Sequence, residues 1–231
     1  IFFEKNYKII SFFNIKNFFI KNVIALTQGV FMKKLILEKC MNLVTTYNKD
    51  LSQKDKDKIK YGLEGLYLTI TKLIFIIIIS IILGIFKEVV LLLLTFNGIR
   101  LTAFGVHAKR SIDCLISSSL FFILTPYICI NLTIPVLIKE IIFVPIVVMI
   151  GILAPADTEK RPLINKKKRT IYKVLSIIIS IIYMTLSIVI KNNTLSNCFI
   201  FALIIQIIIM LPITYKLFGV SYNNYKNYEV K

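Results

Sequence analysis

The chain has 231 residues, of which 57% are hydrophobic and 18% are charged, and its formal net charge is +17 at pH 7. An ordinary soluble domain has about 25% charged residues, so this composition excludes a soluble globular protein and predicts a polytopic membrane protein. Most of the positive charge lies outside the apolar runs. We therefore assign it to membrane topology and to attraction of anionic lipid or an acidic peptide, and we expect no nucleic-acid partner.

The part of the chain before the long apolar runs has two sections. Residues 1–31 lack the pattern of a signal peptide, and we expect them to be a non-native leader, with Met32 as the natural start. Residues 32–65 are expected to hold an amphipathic helix and a polar connector at 48–60. The helix either lies on the inner membrane surface or packs on the bundle. Its apolar stripe consists of Ile36, Cys40, Leu43, Val44 and Tyr47.

Six apolar segments predict an all-α polytopic membrane helical bundle over residues 66–220, followed by a polar C-terminal tail at 221–231. A spanning helix needs about 20 residues, so four of the segments qualify as full spans. The second and fourth are short, and we expect short or broken helices there. The segments are 66–86, 89–103, 115–138, 141–154, 171–190 and 198–218. A kink or break is predicted at each of Pro126, Pro135, Pro145 and Pro212.

The distribution of Lys and Arg between the segments predicts the orientation. With six crossings, the outer connections would hold only Lys87, Lys139 and Lys191. The inner connections would hold the basic leader, Lys109 and Arg110, and the cationic run at 160–169. We therefore expect a multi-pass protein of the cell membrane with both termini, and the connection at 107–114, on the cytoplasmic side.

A polar break between two apolar runs carries the strongest chemical pattern. His107 is the single histidine of the chain and precedes Cys114 by seven residues. A cysteine attacks as the thiolate, which a neighbouring imidazole and the cationic Lys109 and Arg110 would favour. One continuous helix would separate the pair by about 10.5 Å of rise, so the chain must turn between them, with Asp113 as the helix N-cap. The alternative is a small buried cysteine near an unrelated histidine.

Arg100 and Gly105 precede His107 and are two further candidate site residues. Arg100 lies inside an apolar segment, where a charged side chain is costly. It could hold a substrate carboxylate or polarise a carbonyl oxygen, or it could reach the inner headgroups from the end of its segment. In a continuous helix it would share a face with Phe104 and His107. Gly105 would allow a close approach of backbone or substrate, or would serve as a point of flexibility.

The stretch 154–169 joins a proline-containing entry to a cationic end. It either anchors the inner side of the membrane or offers a docking surface to an acidic peptide. Its two acidic residues, Asp157 and Glu159, are either general acids or, the favoured interpretation, partners of the basic residues of the loop. Those basic residues are Lys160, Arg161, Lys166, Lys167, Lys168 and Arg169.

Together the two stretches resemble the accessory gene regulator protein B (AgrB) family of quorum-sensing peptide-processing membrane peptidases. The family pattern of an Arg, then Gly-x-His, then a Cys seven residues later is met by Arg100, Gly105, His107 and Cys114. The loop pattern Ala-Pro-Ala-x-Thr-x-Lys-x-Pro is met by Ala154, Pro155, Ala156, Thr158, Lys160 and Pro162. The resemblance covers about residues 32–220. Phe104 departs from the pattern, since members often carry Gly or a small polar residue there.

The resemblance implies a thiol protease in which His107 and Cys114 form the catalytic dyad. The substrate would be an AgrD-like propeptide, cleaved before its acidic C-terminal tail through an enzyme thioester that is resolved by cyclisation to a thiolactone or lactone. Arg100, Gly105 and the cationic loop would support the site or bind substrate, with no cofactor and no metal. The lipid bilayer is the other expected partner, and a homodimer is left open. The alternative is a small non-enzymatic membrane permease or scaffold.

Overall fold

A computed structural model describes residues 30–48, 50–106, 111–158 and 162–228 of the chain. Every long element in these ranges is an α-helix, which confirms the all-α prediction. Most of the expected leader, residues 1–29, lies outside them. His107, Lys109, Arg110, Glu159, Lys160 and Arg161 lie outside them as well.

The chain divides into two compact units at residue 72. In the first unit, helix α1 (Val30–Tyr47) covers the stretch in which the amphipathic helix is predicted. Of its predicted apolar stripe, Ile36, Leu43 and Tyr47 are exposed in the structure. Helix α2 (Gln53–Ile82) begins inside the stretch read as a connector, so most of residues 48–60 are helical. Ser52 explains this start, because its hydroxyl accepts a hydrogen bond from the Asp55 N–H at 3.2 Å in the manner of an N-cap. Within this unit the Lys33 ammonium pairs with Glu64 at 3.7 Å.

The second unit starts with the end of α2 and contains the remaining helices. They are α3 (Phe86–Ala103), α4 (Ser111–Asn131), α5 (Val136–Leu153), α6 (Lys166–Val189), α7 (Asn193–Met210), the short α8 (Pro212–Leu217) and a 3₁₀ helix (Asn224–Tyr228). In the described part of the chain, α2, α4, α5, α6 and α7 are long and apolar enough to cross a membrane. The protein is therefore a polytopic helical membrane protein, as the composition predicts.

The two segments expected to be short or broken are continuous helices of 18 residues. The length of the fourth segment was underestimated because Lys139 and Glu140, two charged residues, were interpreted as part of a connection. Helix α5 instead begins directly after Pro135, and the preceding helix ends at Asn131 rather than running on to 138. The Lys139 ammonium is buried and donates to the Ser196 hydroxyl at 2.6 Å and to the Ser187 carbonyl at 3.1 Å. It is therefore not the exposed loop cation assumed in the orientation count.

The four prolines at which a kink or break was predicted divide into two pairs. Pro126 and Pro145 lie inside helices that continue through them, so no break occurs at either position. Pro135 and Pro212 stand at helix starts, where a fixed φ and a missing N–H cost nothing. Breaks therefore occur only at the second pair.

Helix α7 is the centre of the second unit and packs against α3, α4, α5 and α6. Its buried face includes Ser196, Asn197 and Gln206, whereas many large apolar side chains of the outer helices are exposed. A surface of this kind, with polar groups inside and apolar groups outside, suits a lipid environment. The ends of α3, α5 and α7 meet at one side of the bundle, since Gly105 N–H donates to the Ala156 carbonyl and Val106 N–H to that of Ile209.

Candidate active site around Cys114

Cys114 lies at the side of the bundle where these helix ends meet. Helix α4 begins at Ser111, so Cys114 is its fourth residue and lies in the first turn. The free N–H groups of a first turn favour negative charge, which is the charge of a thiolate. Asp113 was expected to be the N-cap, but the helix starts two residues before it and Asp113 is inside the first turn. The side chain of Cys114 is partly buried and forms no disulfide.

The nearest described cation to the Cys114 sulfur comes from a helix that the motifs do not include. The ammonium Nζ of Lys72, on α2, lies 3.8 Å from Sγ of Cys114. Lys72 is not predicted from the sequence motifs, because 42 residues separate it from Cys114. One signal was available, since Lys72 is the only charged residue between positions 65 and 86.

Arg100 acts on the backbone that leads to His107. Its guanidinium donates hydrogen bonds to the carbonyl oxygens of Phe104, Gly105 and Val106, the latter two at 3.2 and 2.9 Å. In this arrangement the guanidinium is engaged with main-chain carbonyl groups. The guanidinium also lies close enough to Cys114 to interact with it electrostatically. Arg100 therefore fixes the path of the chain immediately before the polar break.

The segment after α3 is not helical, so the expected shared face of Arg100, Phe104 and His107 does not form. Helix α3 ends at Ala103, and Phe104 adopts φ 56°, a value that favours glycine. The Phe104 carbonyl accepts a second hydrogen bond from the buried Gln206 side chain at 2.6 Å. A parallel bridge to Ala156 completes the attachment. The backbone leading to His107 is thus held from α3, from α7 and from the 154–158 stretch.

Gly105 is required by this packing as well as by its own conformation. Its φ is +129°, and an added Cβ would lie 2.3 Å from the Arg100 Nη1 and 3.2 Å from the Ile209 carbonyl oxygen. Any side chain here must displace the guanidinium from the carbonyl groups that it binds.

Gly105→Ala is expected to lower the activity of the protein at least about tenfold while the protein still inserts. The added methyl group would displace the Arg100 guanidinium from its carbonyl partners, and a hydrogen bond to a charged group contributes about 1.5–3 kcal/mol. Gly84→Ala is the matched control. It has a positive φ of 69° but no neighbour within 4 Å of an added Cβ. Equal activity of the two variants in a membrane processing assay would show that the contact with Arg100 is unimportant.

Asp157 connects the loop after α5 to the C-terminal part of the chain. Its carboxyl group is buried and accepts hydrogen bonds from the N–H groups of Asn224 at 3.0 Å and Tyr225 at 2.8 Å. Its carbonyl accepts from the Tyr215 hydroxyl at 2.9 Å. Burial raises the pKa of Tyr215, so this hydroxyl keeps its proton and remains a donor. Among the described residues, the partners of the Asp157 carboxyl oxygens are backbone N–H groups, whereas Lys160 and Arg161 of its loop lie outside the described residues.

The cationic end of the loop is helical rather than extended. Residues 166–169 form the first turn of α6, and the Asn165 side chain caps it by accepting from the Lys168 N–H. Lys166, Lys167 and Lys168 are exposed. The guanidinium of Arg169 stacks on the Tyr225 ring with 3.5 Å between its carbon and the ring centroid. The three lysines therefore form a cationic surface at a helix N-terminus, and Arg169 contacts the chain itself.

The family profile described as Accessory gene regulator B matches residues 37–210. The chain belongs to the AgrB family. An AgrB-like protein of Clostridium acetobutylicum is 32% identical over 200 residues, which cover 85% of this chain and 96% of that protein. An AgrB-like protein of Listeria monocytogenes is 30% identical over 185 residues, or 79% of this chain and 91% of its own length.

The accessory gene regulator protein B of Staphylococcus aureus is 34% identical over 157 residues, which cover 68% of this chain and 82% of that protein. No solved structure matches the chain. The span that matches the AgrB family includes Lys72, Arg100, Cys114 and the cationic start of α6. It ends before Tyr215 and Tyr225.

Proposed function

We propose that this AgrB-family protein is a quorum-sensing membrane cysteine endopeptidase that removes the acidic C-terminal tail of an AgrD-like propeptide. In this proposal Cys114 is the nucleophile and His107 is the general base and acid. The observation that carries it is the position of Cys114. Its thiol lies in a helix first turn, beside the Lys72 ammonium, in a chain of this family.

The reaction is an acyl transfer in two steps. His107 takes the thiol proton, and the Cys114 thiolate attacks the carbonyl carbon that precedes the acidic tail. The C–N bond breaks as the imidazolium gives its proton to the leaving amine, and an enzyme thioester remains. A thiol or hydroxyl of the propeptide then attacks the thioester, loses its proton to His107 and expels Cys114 as the thiolate. The product is a thiolactone or lactone ring.

The restrained backbone of residues 104–106 would serve this chemistry by fixing the position of the His107 imidazole. Arg100, Gln206 and the bridge to Ala156 restrain residues 104–106, which directly precede it. A base must lie about 2.6–3.2 Å from the proton that it takes, so restraint of the adjoining chain is useful. Arg100 and Gly105 are positioning residues in this proposal.

We assign the Cys114 side of the bundle to the cytoplasm, together with both termini. The ends of α3, α5 and α7 meet there, and α6 begins there with four consecutive basic residues. Connections rich in Lys and Arg remain on the cytoplasmic side of a bacterial membrane. A reduced thiol is also stable in that compartment.

The exposed lysines at the start of α6 are the proposed docking surface for the acidic tail. Reversing Lys166, Lys167 and Lys168 to Glu should weaken propeptide binding about tenfold or more, since exposed charge pairs contribute about 0.2–1 kcal/mol each. Wild-type binding should also fall as salt rises, because exposed charges are screened within about 8–10 Å. Binding is measured in membranes with a labelled propeptide.

Neutral Gln variants of the same lysines are the control and should give an intermediate loss. Arg169 is left unchanged because its contact with Tyr225 would be broken as well. Since charge reversal can invert a membrane protein, orientation is verified by labelling from each side. A correctly oriented triple Glu variant with wild-type affinity would contradict docking at this surface.

The proposed activity is tested by co-expression with the short acidic-tailed peptide encoded beside the gene, followed by mass spectrometry of cells and medium. The expected products are the released tail and a ring that is lighter by one water than the corresponding linear peptide. Intact propeptide in cells that contain inserted wild-type protein would contradict the peptidase and favour a permease or scaffold.

A further inference from the structure

Lys72 stands in an apolar part of helix α2. No other charged residue occurs between positions 65 and 86, and its side chain is partly buried. Ionisable groups in such segments are costly and are usually kept for a function. Among the described residues the ammonium has no acidic partner, and it lies 3.8 Å from the Cys114 sulfur.

The other charged groups around Cys114 have different roles. Arg100 approaches from α3, but its guanidinium is engaged with the carbonyl groups of residues 104–106. Asp113, the neighbour of Cys114 on α4, is negative and opposes a thiolate. Lys109, Arg110 and His107 precede α4, outside the described residues. Among the described cations, Lys72 is the one in contact with the sulfur.

We propose that Lys72 is a catalytic residue whose ammonium donates a hydrogen bond to the Cys114 thiolate; this inference rests on the proposed function. A charge-assisted hydrogen bond of this kind stabilises the anion more than the neutral thiol. Lys72 keeps its proton throughout, because the thiol proton goes to His107. Its interaction weakens when the thioester forms and the sulfur loses its charge.

The same ammonium assists the second step. When the propeptide nucleophile attacks the thioester, the C–S bond breaks and Cys114 leaves as a thiolate, which Lys72 again stabilises. The two steps thus use one cation for the attacking and the leaving form of the same sulfur. Lys72→Met and Lys72→Gln remove the charge, whereas Lys72→Arg preserves it with a different shape.

The first measurement is the rate of Cys114 alkylation by iodoacetamide in membranes between pH 5 and 10. It uses full-length protein in which Cys40, Cys129 and Cys198 are replaced by Ala. Lys72→Met should move the midpoint of the profile to higher pH and slow alkylation at pH 7 about tenfold, because only the thiolate reacts. Lys72→Arg should remain within about threefold of the parent. Lys87→Met is the control, since Lys87 is an exposed cation at the far end of α3.

The second measurement is propeptide processing by the same variants in the wild-type cysteine background. Lys72→Met should reduce it at least about tenfold, with most activity retained by Lys72→Arg and all of it by Lys87→Met. If Lys72→Met fails to insert, Lys72→Gln provides the neutral variant. Neutral variants with the parent's alkylation profile and the parent's processing rate would overturn the inference while leaving the peptidase intact. A wild-type protein that processes no propeptide would overturn the proposed function instead, and the alkylation profile would then report on the Lys72 contact alone.

Discussion

Cys114→Ala is expected to abolish processing of the propeptide, because the variant has no group that can form the enzyme thioester. Loss of a covalent nucleophile leaves no alternative route at this site. Individual Cys40→Ala, Cys129→Ala and Cys198→Ala variants should retain most of the activity. The measurement is mass spectrometry of peptide products from cells with matched amounts of inserted protein.

The structure explains why the other three cysteines are suitable controls. Cys129 and Cys198 are fully buried in the apolar interior. Cys40 lies on helix α1, in the first unit of the chain. A permeant iodoacetamide should therefore modify Cys114 fastest at pH 6–7, and propeptide should protect it. Equal labelling of all four cysteines in folded protein would favour the permease alternative.

His107→Ala is expected to lower processing about 10²–10⁴-fold, the usual cost of losing a general acid–base group. Insertion should be unaffected, since the substitution removes a single polar side chain from a polar break. The alkylation profile of Cys114 should also move to higher pH, because the imidazole is the proposed acceptor of the thiol proton.

The two readouts separate His107 from Lys72. Both variants should shift alkylation, but only His107→Ala removes the acid that protonates the leaving amine, so its processing defect should be the larger. Processing within a few-fold of wild type would show that His107 is not the base. Correct insertion is verified in the same membranes by side-specific labelling.

The all-helical class was predictable, because an apolar run of bilayer length has few folded alternatives. The six predicted segments compare with five described helices that are long and apolar enough to cross a membrane. Their ends were less predictable. Residues 136–140 include a lysine and a glutamate and were read as a connection, yet they form the first turns of α5. The reason lies in tertiary contacts, since the Lys139 ammonium is satisfied by Ser187 and Ser196 from two other helices. Local composition does not reveal such partners.

In the candidate site, too, some residues were predictable from the sequence and others were not. Cys114 and Arg100 were predicted because residue type and spacing mark them within one short stretch. Lys72 was not, since its side-chain contact with Cys114 joins two helices that are distant in sequence. The interpretations of Arg100 and Asp157 from sequence gave them roles toward substrate, headgroups or charged neighbours. Both side chains instead bind main-chain groups, which every residue carries and no motif identifies.

The hydrogen bonds that the Asp157 carboxyl group accepts have a consequence for the synthesis of the protein. Its carboxyl oxygens accept hydrogen bonds from the backbone N–H groups of Asn224 and Tyr225, which lie 67 and 68 positions later in the sequence. These contacts can form only after the ribosome has released the chain up to those residues. Ala156, next to Asp157 in the sequence, is hydrogen-bonded to Ala103 and Gly105. An incompletely translated chain would therefore contain Cys114 and the Arg100 contacts with residues 104–106, but it would lack the hydrogen bonds of Asp157 with Asn224 and Tyr225. Part of the support for this loop thus forms only late in synthesis.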